Sequence, residues 1–87
     1  MKRYTVVILS AAERQIKKLP KPARQQVVDL AESLAETPRP RGYEPLHGPL
    51  KGYFRVRTGN YRLIYTIDDK NIIVTILSAG DRREIYR

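Results

Sequence analysis

Cysteine is absent from this 87-residue chain. That excludes disulfide staples and thiolate metal sites, and it fits a reducing compartment, so the cytoplasm is the expected location. Long hydrophobic runs are absent too. Nothing approaches the ~20 apolar residues that span a bilayer, so no membrane is expected. The opening Met-Lys-Arg-Tyr leads into a short strand-like stretch ending at Ser10. It lacks the longer apolar region and the small-residue cleavage site of a signal peptide. Repeats, linkers and low-complexity segments are missing as well. At this length the expectation is one domain over residues 1–87. Such a domain buries little more than ~60% of its unfolded surface, so modest stability is expected.

Acidic residues are scarce: 9 Asp and Glu stand against 17 Lys and Arg, for a net charge of +8. Solubility alone does not require that excess to be arginine, yet arginine outnumbers lysine 11 to 6. A basic balance of this size points to nucleic acid, an anionic surface or an acidic protein partner. It is also concentrated. Residues 39–62 hold six basic side chains and one acid, Glu44, whereas 22–36 hold Arg24 against Asp29, Glu32 and Glu36.

Arg3 to Leu9 is rich in Tyr, Thr, Val and Ile and reads as a strand. Ser10-Ala-Ala-Glu13 has the form of a capping box, predicting a helix with Ala12, Ile16 and Leu19 on one face. Leu19-Pro-Lys-Pro22 stops it, and Pro22 suits the first turn of a second helix. There Ala23, Val27, Leu30 and Leu34 recur at helical spacing, with Ala31 beside them. The prolines of 37–45 predict a loop that continues through Gly52. Strands are predicted near 53–57, 61–67 and 72–78, with Asp68–Asn71 as the last turn. Ile72–Leu77 is apolar on both faces and should be central. The order β-α-α-β-β-β predicts an α+β domain: an N-terminal strand, a two-helix antiparallel hairpin, and a mainly antiparallel sheet of three further strands.

The segment Tyr53-Phe-Arg-Val-Arg-Thr-Gly-Asn-Tyr-Arg62 reads as a hairpin carrying three arginines, Arg55, Arg57 and Arg62. Like charges opposed across a strand pair are destabilising. Gathering them there points to an anionic ligand, and phosphate fits the guanidinium fork with two hydrogen bonds. The competing explanation, a solvated basic face, suits scattered charges better than three on one hairpin. The register stays open. A two-residue turn at Thr58-Gly59 sets Arg55 opposite Arg62 and puts all the arginines on one face. A three-residue turn with Asn60 in a left-handed bulge sends Arg62 to the other face, because strand side chains have period two.

Residues 50–65, Leu-Lys-Gly-Tyr-Phe-Arg-Val-Arg-Thr-Gly-Asn-Tyr-Arg-Leu-Ile-Tyr, followed by Gly-Asp-Arg-Arg-Glu-Ile-Tyr (80–86), resemble the RelE/ParE superfamily of bacterial toxins, and within it the RelE branch. The resemblance covers the whole chain. It implies the toxin of a type II toxin–antitoxin system, an endoribonuclease that cuts mRNA in the ribosomal A site and so blocks translation. It also implies a cognate acidic antitoxin bound in a hetero-oligomer. The implied chemistry uses no metal and no cofactor: the ribose 2′-hydroxyl attacks the adjacent phosphodiester. Such a reaction needs a base, positive charge on the phosphorane, and an acid for the leaving 5′-oxygen. The superfamily also contains ParE-type inhibitors of DNA gyrase, which cleave no RNA.

By this resemblance Arg62 matches a phosphate and transition-state ligand. Arg82 matches a C-terminal phosphate ligand or proton donor, and Tyr86 a residue that orients a base. Arg83 and Lys51 join Arg55 and Arg57 as candidate substrate ligands. Arg55 and Arg57 stand where RelE-type enzymes carry lysines. Arginine stays protonated in proteins, so these two can stabilise charge but make poor bases. Glu44-Pro-Leu46 resembles the Glu-Pro-Leu of YoeB-like toxins, where the glutamate is the general base. His47, the sole histidine, titrates near neutrality and is a second candidate. Tyr53, Phe54, Tyr61 and Tyr65 are expected in the sheet or core, Lys17, Lys18 and Lys21 on a solvated surface.

Overall fold

Among the described residues the period-2 and helical patterns of the sequence become five strands and two helices. The computed structural model describes residues 3–81. β1 (Thr5–Ile8) leads into α1 (Ser10–Lys17) and α2 (Lys21–Ser33). Then come β2 (Glu44–Pro45), a 3-10 turn at Gly48–Leu50, β3 (Phe54–Thr58), β4 (Tyr61–Asp68) and β5 (Ile73–Asp81). The strands form one sheet in the order β1-β5-β4-β3-β2. β1 is parallel to β5 and all other neighbours are antiparallel. This is the expected α+β arrangement, and β5, apolar on both faces, lies inside the sheet as expected.

Both helices pack on one face of it. Ala12 and Ile16 of α1, with Val27 and Ala31 of α2 and Leu34 just beyond it, meet Val56, Leu63, Tyr65, Val74, Ile76 and Ala79 in a single buried cluster. The strand members share one face: they alternate on β4, and on β5 a register shift opposite Ile64 and Tyr65 keeps Ala79 on the face of Val74 and Ile76. Each large apolar side chain buried there contributes about 1.5–3 kcal/mol. Gln15 ties α1 to the sheet by accepting the Ala79 N–H through Oε1 at 2.8 Å. Pro22 stands in the first turn of α2, as its lack of an N–H favours. Leu19 and Leu30 are only partly buried. No helix among the described residues is long and apolar enough to cross a membrane.

Three local expectations are corrected. The Ser10–Glu13 capping box does not form: the N-cap is Leu9, and no side chain caps the helix. Leu9 N–H still donates to the Ile76 carbonyl at 3.0 Å, so the β1 ladder runs straight into the first turn of α1. Residues 44–45, predicted as loop, form β2 on the free edge of β3. A proline is tolerated there because an outermost strand need not donate its N–H. The third correction is the register of the arginine hairpin. Neither anticipated turn occurs. Thr58 pairs with Tyr61 and Arg57 with Arg62, so Gly59-Asn60 is the two-residue turn. Gly59 has φ +58° and Asn60 has none of the left-handed character. A positive φ at the first central position alone is the type II′ pattern, which glycine there allows.

Candidate functional site

The register decides where the arginines go. On β3, Val56 points into the core, so Arg55 and Arg57 point away from the helices. Across the ladder Arg57 faces Arg62 and Arg55 faces Ile64, which puts Arg62 on the same outer face. The sequence reading that gathered all three arginines on one face holds, although the cross-strand partner of Arg62 is Arg57 rather than Arg55. On β5, Gly80 stands opposite Arg62 and Ser78 opposite Ile64. Gly80 contributes no side chain to that face.

The three guanidinium groups differ in environment. Arg57 is exposed, Arg55 half-buried, and Arg62 only 4% exposed, the single buried charged residue in the described core. Burial of a charge is costly, so Arg62 is fixed in place rather than waving in solvent. β2 supplies the fourth member. Glu44 pairs with Arg55 in the ladder, and Arg55 Nη2 donates to Glu44 Oε1 at 2.5 Å. That hydrogen bond, then the Arg55 charge, and more weakly the charges of Arg57 and Arg62, hold the Glu44 carboxyl below the usual glutamate range. The same field reaches Glu44 from three arginines, so all four residues form one electrostatic unit. The carboxylate is half-exposed, so the pair is worth little as a stabilising ion bridge. Its significance is positional.

Sequence reasoning missed a cavity of about 270 Å³ on this outer face, lined by Leu46, Leu50, Tyr53, Ile64, Leu77 and Arg55. Its signal was present in Leu46 and Leu50 flanking the Gly-Pro turn, read only as a loop. Of the other candidates, His47 is exposed at the N-cap of the 3-10 turn and Lys51 exposed at its C-cap. Among the described residues no hydrogen bond or ion pair joins either to the arginines. Arg82, Arg83 and Tyr86 lie outside the described residues. Phe54 and Tyr61 pack against the core, Tyr65 is fully buried, and Tyr53 turns to the cavity. Lys17, Lys18 and Lys21 are exposed as expected.

The fold in front of the helices holds stability on one face, and the arginine–carboxylate group occupies the other. The strand–helix–helix–sheet scaffold is the arrangement of the RelE/ParE toxin class, and the comparisons with known proteins agree on the fold. The family described as the ParE toxin of type II toxin–antitoxin systems, parDE, matches residues 6–86, and the chain belongs to this family. It is 41% identical over 85 residues to Toxin RelG of Mycobacterium tuberculosis, covering 97% of both chains. Toxin RelE of the same organism is 33% identical over 85 residues, covering 97% of this chain and 87% of that one. A chain in the crystal structure of the RelBE2 toxin–antitoxin complex from M. tuberculosis superposes with a TM-score of 0.84 at 40% identity. The match covers 92% of this chain and 99% of that one.

Proposed function

We propose that this toxin is a metal-independent endoribonuclease that cuts mRNA, and that it does so in the ribosomal A site. The observation carrying this reading is the gathering of Arg55, Arg57, Arg62 and Glu44 on one face of the sheet, outside the helix-covered core. An inhibitor acting by protein contact needs no such constellation. A phosphodiester does, because negative charge builds on its oxygens in the transition state and fixed cationic donors stabilise it there.

In this reading Arg57, exposed, receives the scissile phosphate, and Arg62, immobilised by burial, stabilises the phosphorane. Arg55 holds Glu44. Glu44, ionised because the arginines keep its pKa low, takes the proton of the 2′-hydroxyl. The 2′-oxygen then bonds to phosphorus as the bond to the 5′-oxygen breaks. The products are a 2′,3′-cyclic phosphate and a 5′-hydroxyl. The leaving oxygen takes its proton from the C-terminal segment, where the resemblance names Arg82. Tyr86 orients a base by stacking, worth about 1–3 kcal/mol. Lys51 and Arg83 contact neighbouring phosphates. The protein's partners are then mRNA on the ribosome and a cognate acidic antitoxin. The solved complex of its RelBE2 relative supports the antitoxin, and so does the +8 charge.

Primer extension on a reporter message tests this in a cell-free translation reaction, alongside the same RNA without ribosomes. Codon-phased cuts only during translation are expected. Cuts in naked RNA would remove the ribosome from the reading. The second reading, inhibition of DNA gyrase, is favoured by the ParE description of the matching family. It takes over if a folded, toxic protein cuts neither RNA and Arg62→Ala leaves toxicity intact.

A further inference from the structure

Tyr43 is a loop aromatic that the chemistry above leaves without a task. The loop it ends begins at Pro38, and both ends are fastened to the same pillar. The Tyr65 O–H donates to the Pro38 carbonyl at 2.8 Å. The Tyr65 ring meets Phe54 with centroids 5.8 Å apart, and Phe54 meets Tyr43 at the same separation. Beside Pro38, Arg39 makes a two-pronged pair with Asp69 at 2.8 and 3.2 Å, and Asp69 also accepts the Tyr4 O–H at 2.7 Å. The loop is thus closed on a ladder of three rings lying on the helix side of β3 and β4.

The strand that follows is very short. β2 has two residues and two ladder pairs, Glu44 with Arg55 and Pro45 with Phe54. Proline offers no N–H, and beyond the two pairs the register is continued by the Leu46 N–H, which donates to the Tyr53 carbonyl at 2.9 Å. Successive side chains of an extended segment point to opposite faces. With the Tyr43 ring on the Phe54 side, Glu44 falls on the other side, against Arg55. The rings fasten the strand on the side before Glu44, as the Leu46 N–H fastens it on the side after.

We propose that Tyr43 is a positioning residue whose ring, seated on Phe54, determines that Glu44 occupies the arginine face. The catalytic consequence rests on the reading of Glu44 as general base, whereas the structural consequence does not. Glu44 is faced by Arg55 and Arg57 from β3 and by Arg62 from β4, so its titration reports whether it is in place.

The test compares the full-length wild type with Tyr43→Phe, Tyr43→Ala, Glu44→Gln and the double variant Y43A/E44Q. NMR with labelled glutamate follows the Glu44 carboxyl, assigned by its loss in E44Q. Single-turnover cleavage of translated message is the second readout. In Y43A the Glu44 pKa should rise toward the ordinary glutamate range, while Y43F keeps it low. Cleavage should fall ~10-fold in Y43A, a misplaced group rather than a missing one. It should fall no further in the double variant than in E44Q, because both changes act through one carboxyl. An unchanged Glu44 titration in folded Y43A overturns the proposal, and so does full additivity with E44Q. If E44Q cleaves as fast as the wild type, the base assignment fails instead, and the titration alone decides for or against Tyr43. If Y43A does not fold, Tyr43→Leu keeps the apolar bulk without the ring and gives the same two readouts.

Discussion

Replacing Arg62 with methionine should slow cleavage by ~10²–10³-fold in a chain that still folds. Arg62 is 4% exposed and lies directly across the ladder from Arg57. Side chains opposed in this way start with Cβ atoms about 5 Å apart. In the proposed reading the pair presents two guanidinium groups to one phosphate, Arg57 from solvent and Arg62 held by burial. A donor fixed before the reaction begins needs no reorganisation as charge builds on the phosphorane, and one such donor contributes about 2.7–4 kcal/mol to the transition state. Loss of one fixed transition-state donor should lower the cleavage rate by ~10²–10³-fold. Differential scanning calorimetry and a single-turnover cleavage assay on the same preparation measure both. A variant with a cooperative thermal transition that still cleaves within about tenfold of the wild type would refute the role given to Arg62.

Ile72 adopts φ +58°, a left-handed conformation that suits a β-branched residue poorly. Ile72→Gly should raise stability by about 1 kcal/mol, read as a shift in urea midpoint. Glu44→Gln should slow cleavage by ~10²-fold or more. Because the wild-type carboxyl titrates below the usual glutamate range, activity should persist as pH falls through that range and fail only below it. A cleavage–pH profile with its acid limb at or above the ordinary glutamate pKa would contradict this. Burial pushes the Tyr65 phenol up to about 12. A raised folded-state pKa contributes stability below the unfolded value and loses it as pH climbs through the folded one. Alkaline unfolding between about pH 10 and 12 should therefore be weaker in Tyr65→Phe, as followed by circular dichroism.

Much of the fold was legible because it rests on periodicity. Ala23, Val27, Ala31 and Leu34 announce a helix face whatever the tertiary context, and the apolar run Ile72–Leu77 announces an interior strand, which begins at Ile73 and lies between β1 and β4. The capping box was misread because helix capping is decided by where the preceding strand ends, and β1 pairing holds Leu9 in the cap. β2 was invisible because it exists only where β3 leaves an edge free, and two residues containing a proline carry no strand pattern. The site was legible in its membership and less so in its geometry. Three arginines two and five residues apart point to an anion. Which one faces which depends on a single glycine dihedral at Gly59, and sequence does not display dihedrals. Tyr43 gave no local signal, since its ring partner Phe54 is 11 positions away and Tyr65, which Phe54 meets in turn, is 22.

The alternation along β4, where Arg62 and Ile64 point outward while Leu63 and Tyr65 point inward, has an evolutionary corollary. A single-residue insertion in the Gly59-Asn60 turn would exchange the two sets, driving an arginine into the apolar layer and two core residues into water. Length changes in this hairpin therefore remove the fold together with the chemistry. Substitutions on the outer face act differently, since the helix-covered layer never senses them. Silent but folded descendants of this protein should arise by replacement at positions such as 57 and 62, and lineages that have lost the activity should still show a two-residue turn.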